Sequence, residues 1–196
     1  MNIAFFIGEM NLRGVANSTF HYSYYNKLIL KNKSIIFYDK KNNRNNYKVI
    51  RKFKKEFNVI GVNHLEDIDN YKDKLKLKFL YIQKGGKKDQ WISNHIKTIV
   101  HSAYPQKLKE VHGDKYAFVS EWCSNKFSRN KIPYVPYIVK VDKNKNNLKK
   151  KLKISKQQLV LGCHGGDSSF NLKFVQDTLI NIVNKRKDLT FLFLNI

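Results

Sequence analysis

Apolar runs of strand length alternate with helix-like stretches down nearly the whole chain, and this alternation constrains the fold more than any other feature. Ile3–Ile7, Ser34–Tyr38, Asn58–Val62, Phe79–Ile82, Ile96–Val100 and Tyr116–Ser120 read as strands. Phe20–Leu30, Val49–Phe57 and Ile68–Leu75 read as helical, with Asn17-Ser18-Thr19 as the start of the first helix and Pro133–Val139 extended. Strands that are almost continuously apolar are buried on both faces, so helices must cover both sides of the sheet. The expected class is therefore α/β, a Rossmann-like and mainly parallel sheet from Met1 to about Lys140. In such sheets ligands gather at the carboxyl ends of the strands. Chemistry is expected in the loops Gly8–Gly14, Lys84–Gly86, His101–Pro105 and Gly162–Asp167.

A second α/β segment follows. Residues 141–157 form a lysine- and asparagine-rich linker with a helical turn near Leu148–Leu152. From residue 158 the strand Leu159–Leu161 runs into Gly162-Cys163-His164-Gly165-Gly166, and a helical pattern from Phe170 to Val183 leads to the strand Leu189–Leu194. A strand, a glycine turn and a helix N-terminus make a cradle for anions, because free N–H groups face outward and glycine admits close approach. A single βαβ unit cannot bury its own core, and its last strand has an open edge. Residues 158–196 are thus expected to be an incomplete domain that packs against something else.

The formal net charge is +23, nearly all of it from lysine, and asparagine is abundant in the runs Asn42–Asn46 and Lys143–Lys151. This is the composition that an AT-rich genome places on solvated surfaces. Sequence-specific nucleic-acid readers lean on arginine for bidentate contacts, so no specific nucleic acid is expected. A basic α/β nucleic-acid-binding protein is the alternative from another class, and steep salt dependence would mark it. Diffuse lysine suits peripheral contact with an anionic membrane better. Cys123 and Cys163 form no C-x-x-C pair, so neither a disulfide framework nor a zinc site is expected. No apolar run reaches about 18 residues, and the N-terminus lacks a basic signal-peptide region. The expected location is cytoplasmic, with membrane-peripheral contact as a variant.

The order of these pieces resembles a glycosyltransferase of GT-B architecture, the group with two Rossmann-like domains. The resemblance rests on Ile3–Gly14 followed by a helix, on Thr98-Ile99-Val100-His101, and on Tyr116–Glu121 before a short helix. It continues through Ile132–Val139, similar to the family's crossover, and through Leu159–Asp177 with Asp188–Leu194, similar to the first βαβ of a donor domain. It spans nearly the whole chain.

The resemblance implies transfer of a sugar from a nucleotide-diphosphate sugar, as substrate rather than cofactor, to a hydroxyl on a glycan, lipid or protein. It implies donor contacts from His101, His164, Gly165 and Gly166. Cleft or acceptor candidates are Gly8, Glu9, Arg13, Gly14 and Lys84. Asp167 and Glu9 could act as general base on an acceptor hydroxyl, but no catalytic residue is assigned. No metal is implied, since Asp67-Ile68-Asp69 follows no strand end. His21 reads as structural. Two departures bear on activity. Many relatives read G-R where this chain has Gly162-Cys163, and the family's donor domain continues for on the order of 100 further residues with a ribose-gripping Glu-rich motif that this sequence does not contain, so a fragment or a degenerate donor domain is expected. A weak transferase or an inactive remnant is the corresponding expectation.

Overall fold

The computed structural model describes residues 1–139, 148–164 and 172–194, without the side chains of Cys163, His164 and Leu194. It divides into two units, Met1–Lys140 and Val141–Ile196, each treated by itself.

The first unit is built on six strands, β1 (Asn2–Ile7), β2 (Lys33–Asp39), β3 (Asn58–Val62), β4 (Leu77–Lys84), β5 (Lys97–Ser102) and β6 (Lys115–Phe118). Their order in the sheet is β3-β2-β1-β4-β5-β6, and every pairing is parallel. The expected Rossmann-like α/β class is the one observed. Alternation along β1 divides the core. Ile3, Phe5 and Ile7 pack with α1 (Gly14–Leu28) and α2 (Tyr47–Lys54) through Phe20, Tyr22, Val49 and Phe53. Ala4 and Phe6 face the other way, onto Ile35, Phe37, Ile68, Leu80 and Ile82. Phe6 is 2% exposed, and burying a side chain of that size contributes about 1.5–3 kcal/mol.

The first helix corrects the sequence reading. It begins at Gly14, not near Asn17, and ends at Leu28. Ser18 and Thr19 do not cap it; they are buried inside it. The Ser18 hydroxyl bonds Val15 O at 3.0 Å and also Gln83 Oε1. Further along, Ser34 Oγ donates to Ser23 O at 2.8 Å and Asn26 Nδ2 donates to Ser34 Oγ at 2.8 Å. A helix that buries so many polar side chains shows little apolar periodicity, which explains the misplaced start.

The asparagine run is also more than solvated surface. Asn42 Nδ2 donates to Gly8 O at 3.1 Å, Asn45 Oδ1 accepts from Met10 N at 2.9 Å, and Asn45 Nδ2 donates to Asp39 O at 2.7 Å. Asn46 caps α2 by accepting from Lys48 N at 2.9 Å. These amides fasten the loop after β1 to the loop after β2.

At the far edge, Ser120 Oγ caps α3 (Glu121–Ser128) by accepting from Cys123 N at 3.2 Å. Pro133–Val135 then lies alongside β6, with Val135 N donating to Phe118 O at 2.8 Å. The second unit holds α4 (Leu148–Lys151) and a parallel pair, β7 (Leu159–His164) and β8 (Leu189–Leu194), joined through α5 (Lys173–Lys185). Among the described residues, no helix is long and apolar enough to cross a membrane.

Candidate functional site

The strand order reverses at β1. From there the chain steps outward through β2 to β3, then returns to place β4 on β1's other side. The loops after β1 and β4 therefore diverge and leave a crevice at the carboxyl end of the sheet. A cavity of about 640 Å³ occupies this place. Of the residues expected to form a cleft, Gly8, Glu9, Arg13, Gly14 and Lys84 all line it.

Arg13 is the extended N-cap of α1, its own N–H donating to Asn11 Oδ1 at 2.9 Å. Among the described residues no side chain caps the helix, its first turn holds no acid, and Gly14 and Val15 line the cavity, so the start of this 15-residue helix faces the crevice. Glu9 is held by Asn11 Nδ2 at 2.7 Å and by Arg44 Nη1 at 3.3 Å. Lys84 pairs with Asp89 and donates to Trp91 O at 3.3 Å. Burial lowers the Lys84 pKa, against the opposing pull of Asp89. Gly8 is required by a close approach: a Cβ there would stand 3.1 Å from the Trp91 ring, which also packs edge-on against Phe6 with centroids 5.2 Å apart.

Sequence reasoning missed several lining residues. Gln83, the last β4 residue before Lys84, is 3% exposed. Its Oε1 accepts from Ser18, while its buried Nε2 makes no hydrogen bond among the described residues. The signal was a single amide ending the apolar run Phe79–Ile82. Trp91, Tyr104 and Tyr137 supply aromatic walls, and only the tertiary fold brings them there. Burial raises the Tyr137 pKa, and the neighbouring Tyr104 adds to the rise.

The structure places His101 elsewhere. It does not begin a loop, because β5 runs on to Ser102 and pairs Gln83 with His101. The ring is 1% exposed and does not line the cavity. Its Nε2 lies 3.0 Å from Val135 O and its Nδ1 lies 2.6 Å from the Tyr81 hydroxyl. A carbonyl only accepts, so Nε2 carries the proton and Nδ1 accepts from Tyr81. With both nitrogens engaged inside the protein, His101 offers no ring atom to a donor sugar. It ties Val135, and with it the extended segment, to the centre of the sheet.

Behind the crevice, Asp89 Oδ1 also lies 3.9 Å from His112 Nε2, and His112 Nδ1 is 2.6 Å from Glu110 O. Lys84 is thus held by a carboxylate that also faces a buried imidazole. The loop that follows is pinned as well: Tyr116 Oη donates to Gly86 O at 2.8 Å, and Gln106 Nε2 donates to Gly85 O at 2.8 Å.

Gly165, Gly166 and Asp167 lie outside the described residues, as does the side chain of His164. Among the described residues, no three His, Cys, Asp or Glu side chains converge as a metal site would require. Compared with protein-family models and with curated protein sequences, the chain matches none.

Proposed function

We propose that this is a glycosyltransferase-like protein that moves a sugar from a nucleotide-diphosphate sugar to a hydroxyl acceptor, with the crevice of the first unit as its acceptor side. One observation carries the reading. At the switch point of a parallel sheet, a cavity large enough for a small ligand combines aromatic walls with a few convergent polar groups. Trp91, Tyr104 and Tyr137 suit the apolar face of a sugar ring. Gln83 Nε2 and the open N-terminus of α1 suit its hydroxyls or an attached anion. Arg13 and Lys84 supply positive charge beside them. Glu9, oriented by Asn11 and Arg44, is the carboxylate best set to accept a hydroxyl proton. His101 acts here as a positioning residue, not as a donor contact.

Trp91 provides the test. The chain has two tryptophans, and Trp122 sits on α3, so Trp122→Phe leaves Trp91 as the only indole. That variant is titrated with oligosaccharides, with inorganic phosphate, and with uridine, guanosine and adenosine diphosphate sugars. A saturable change in Trp91 emission with a sugar ligand, lost in Gln83→Leu, supports the reading. Acceptor-dependent release of nucleoside diphosphate, lost in Glu9→Gln, supports the transfer step. No response to any sugar ligand, or a response that Gln83→Leu leaves intact, overturns it.

A further inference from the structure

The opposite end of the first unit carries an unusual surface. Most of α1 is buried against the sheet, yet Leu28, Ile29 and Leu30, where it ends, are 48%, 65% and 65% exposed. Three consecutive large aliphatic side chains stand in solvent, on a turn with a defined shape. Ile29 N still donates to Tyr25 O at 2.8 Å, Lys31 closes the helix at φ 56°, and Asn32 bonds back to Asn26 through both backbone and side chain. Met1, also exposed, joins the same surface, because Lys33 N donates to Met1 O at 2.8 Å.

Cations surround this turn. Lys31 and Lys33 flank it and are exposed. The parallel topology brings the end of α2, with Lys54, and the lead-in to β4, with Lys74 and Lys76, to the same end of the sheet. Asn2 Nδ2 fastens that lead-in by donating to Leu75 O at 2.7 Å. Two acids accompany them: Glu56, paired with Lys27 at 3.7 Å, and Asp73.

We propose that this end of the first unit docks on an anionic lipid surface, with Leu28-Ile29-Leu30 entering the boundary between headgroups and acyl chains and the surrounding lysines meeting the phosphates. Exposed aliphatic side chains ringed by lysine fit that interface, where apolar burial and charge attraction add. A nucleic acid would use the lysines but gain nothing from three aliphatic side chains. The docking surface lies at the strand N-termini and leaves the crevice at the opposite end open. It stands independently of the sugar-transfer reading.

The test is co-sedimentation of the full chain with vesicles of phosphatidylcholine alone and of phosphatidylcholine with phosphatidylglycerol. Binding is expected to the anionic vesicles only. The triple variant Leu28→Ser, Ile29→Ser, Leu30→Ser should lower partitioning on the order of 10-fold or more. Lys31→Gln with Lys33→Gln should lower it roughly five-fold per lysine. All five positions are exposed, so circular dichroism should be unchanged. In addition, the emission of an Ile29→Trp variant should shift to the blue on anionic vesicles and be quenched by bromine-labelled acyl chains. Absence of binding overturns the proposal. So does binding that the serine triple leaves intact, since diffuse charge alone would then suffice. Duplex DNA binding that the serine variant keeps, without vesicle binding, assigns the surface to nucleic acid instead.

Discussion

The Tyr81 hydroxyl on β4 lies 2.6 Å from Nδ1 of His101 on the adjacent strand, and it is the donor in that bond because His101 gives its own proton to Val135. A chain of donors thus runs from the sheet centre to the extended segment after Pro133. Tyr22 from α1 joins the group, its hydroxyl donating to Pro136 O at 2.7 Å and its ring edge-on to His101 with centroids 5.3 Å apart.

Burial pushes the His101 imidazole below its ordinary value of 6.5, so the folded state resists protonation while the unfolded chain does not. As pH falls through 6.5 the unfolded chain takes up a proton first, and stability falls with it. Above that value the His101 contribution is fully present. Urea unfolding between pH 7 and pH 5 should show this decline, and His101→Gln should flatten it. The same variant should be less stable than the parent at neutral pH, because the Tyr81 hydroxyl loses its acceptor.

The tyrosines act at the other end of the scale. Burial raises Tyr22 from 10.0 to about 12, and Tyr81 also stands well above its ordinary range. A phenol with a raised folded pKa holds its proton longer in the folded state, so stability is lost as pH rises beyond 10. Phenolate absorbance should therefore appear in two stages, exposed tyrosines first and this cluster together with loss of tertiary structure. In Tyr22→Phe the second stage should be smaller.

Gly8→Val tests the contact at the crevice wall. The new side chain would meet the Trp91 ring, since even a Cβ stands 3.1 Å from it. Trp91 should swing outward, its emission should shift to the red, and ligand response at the crevice should fall. Gly8→Ala should do the same to a lesser degree.

Gly86→Ala is expected to be more damaging to stability. Gly86 has φ +91°, a region L side chains rarely adopt, and a Cβ there would stand 2.7 Å from both Ser102 Cβ and the Tyr116 hydroxyl. Those neighbours sit on β5 and β6 and cannot both retreat. A loss of about 2–4 kcal/mol is expected from strain plus overpacking, measured by urea unfolding. Gly85→Ala is the control, because its nearest neighbour is Tyr104 at 3.8 Å.

Much of the sheet was readable because its strands are apolar on both faces. The bounds of β3 and β8 match the sequence reading, and β1 and β2 differ by a residue at their ends. The reading failed where polar side chains are buried. Ser18 and Thr19 look like a helix start in sequence, but both lie inside the helix and are buried. His101 fell on the wrong side of a strand end because two further rungs, to Gln83 and Lys84, extend β5 past the apolar run. At the crevice, Gly8, Glu9, Arg13, Gly14 and Lys84 followed from the rule that ligands meet strand ends. Gln83 and Trp91 did not: Gln83 carried only the weak signal of one amide ending an apolar run, and nothing local marks an indole that lies on a glycine.

The position of β1 has a consequence for how the protein is made. It is a central strand of the sheet and leaves the ribosome well before its partner β4, which ends at Lys84. Until that stretch has been synthesised, one long edge of β1 is unpaired, and Ala4 and Phe6 lack their β4 neighbours Leu80 and Ile82. Parallel pairing across such a sequence separation is slow, and an open apolar edge invites pairing with other chains. Fast translation through residues 8–76 would shorten that exposure.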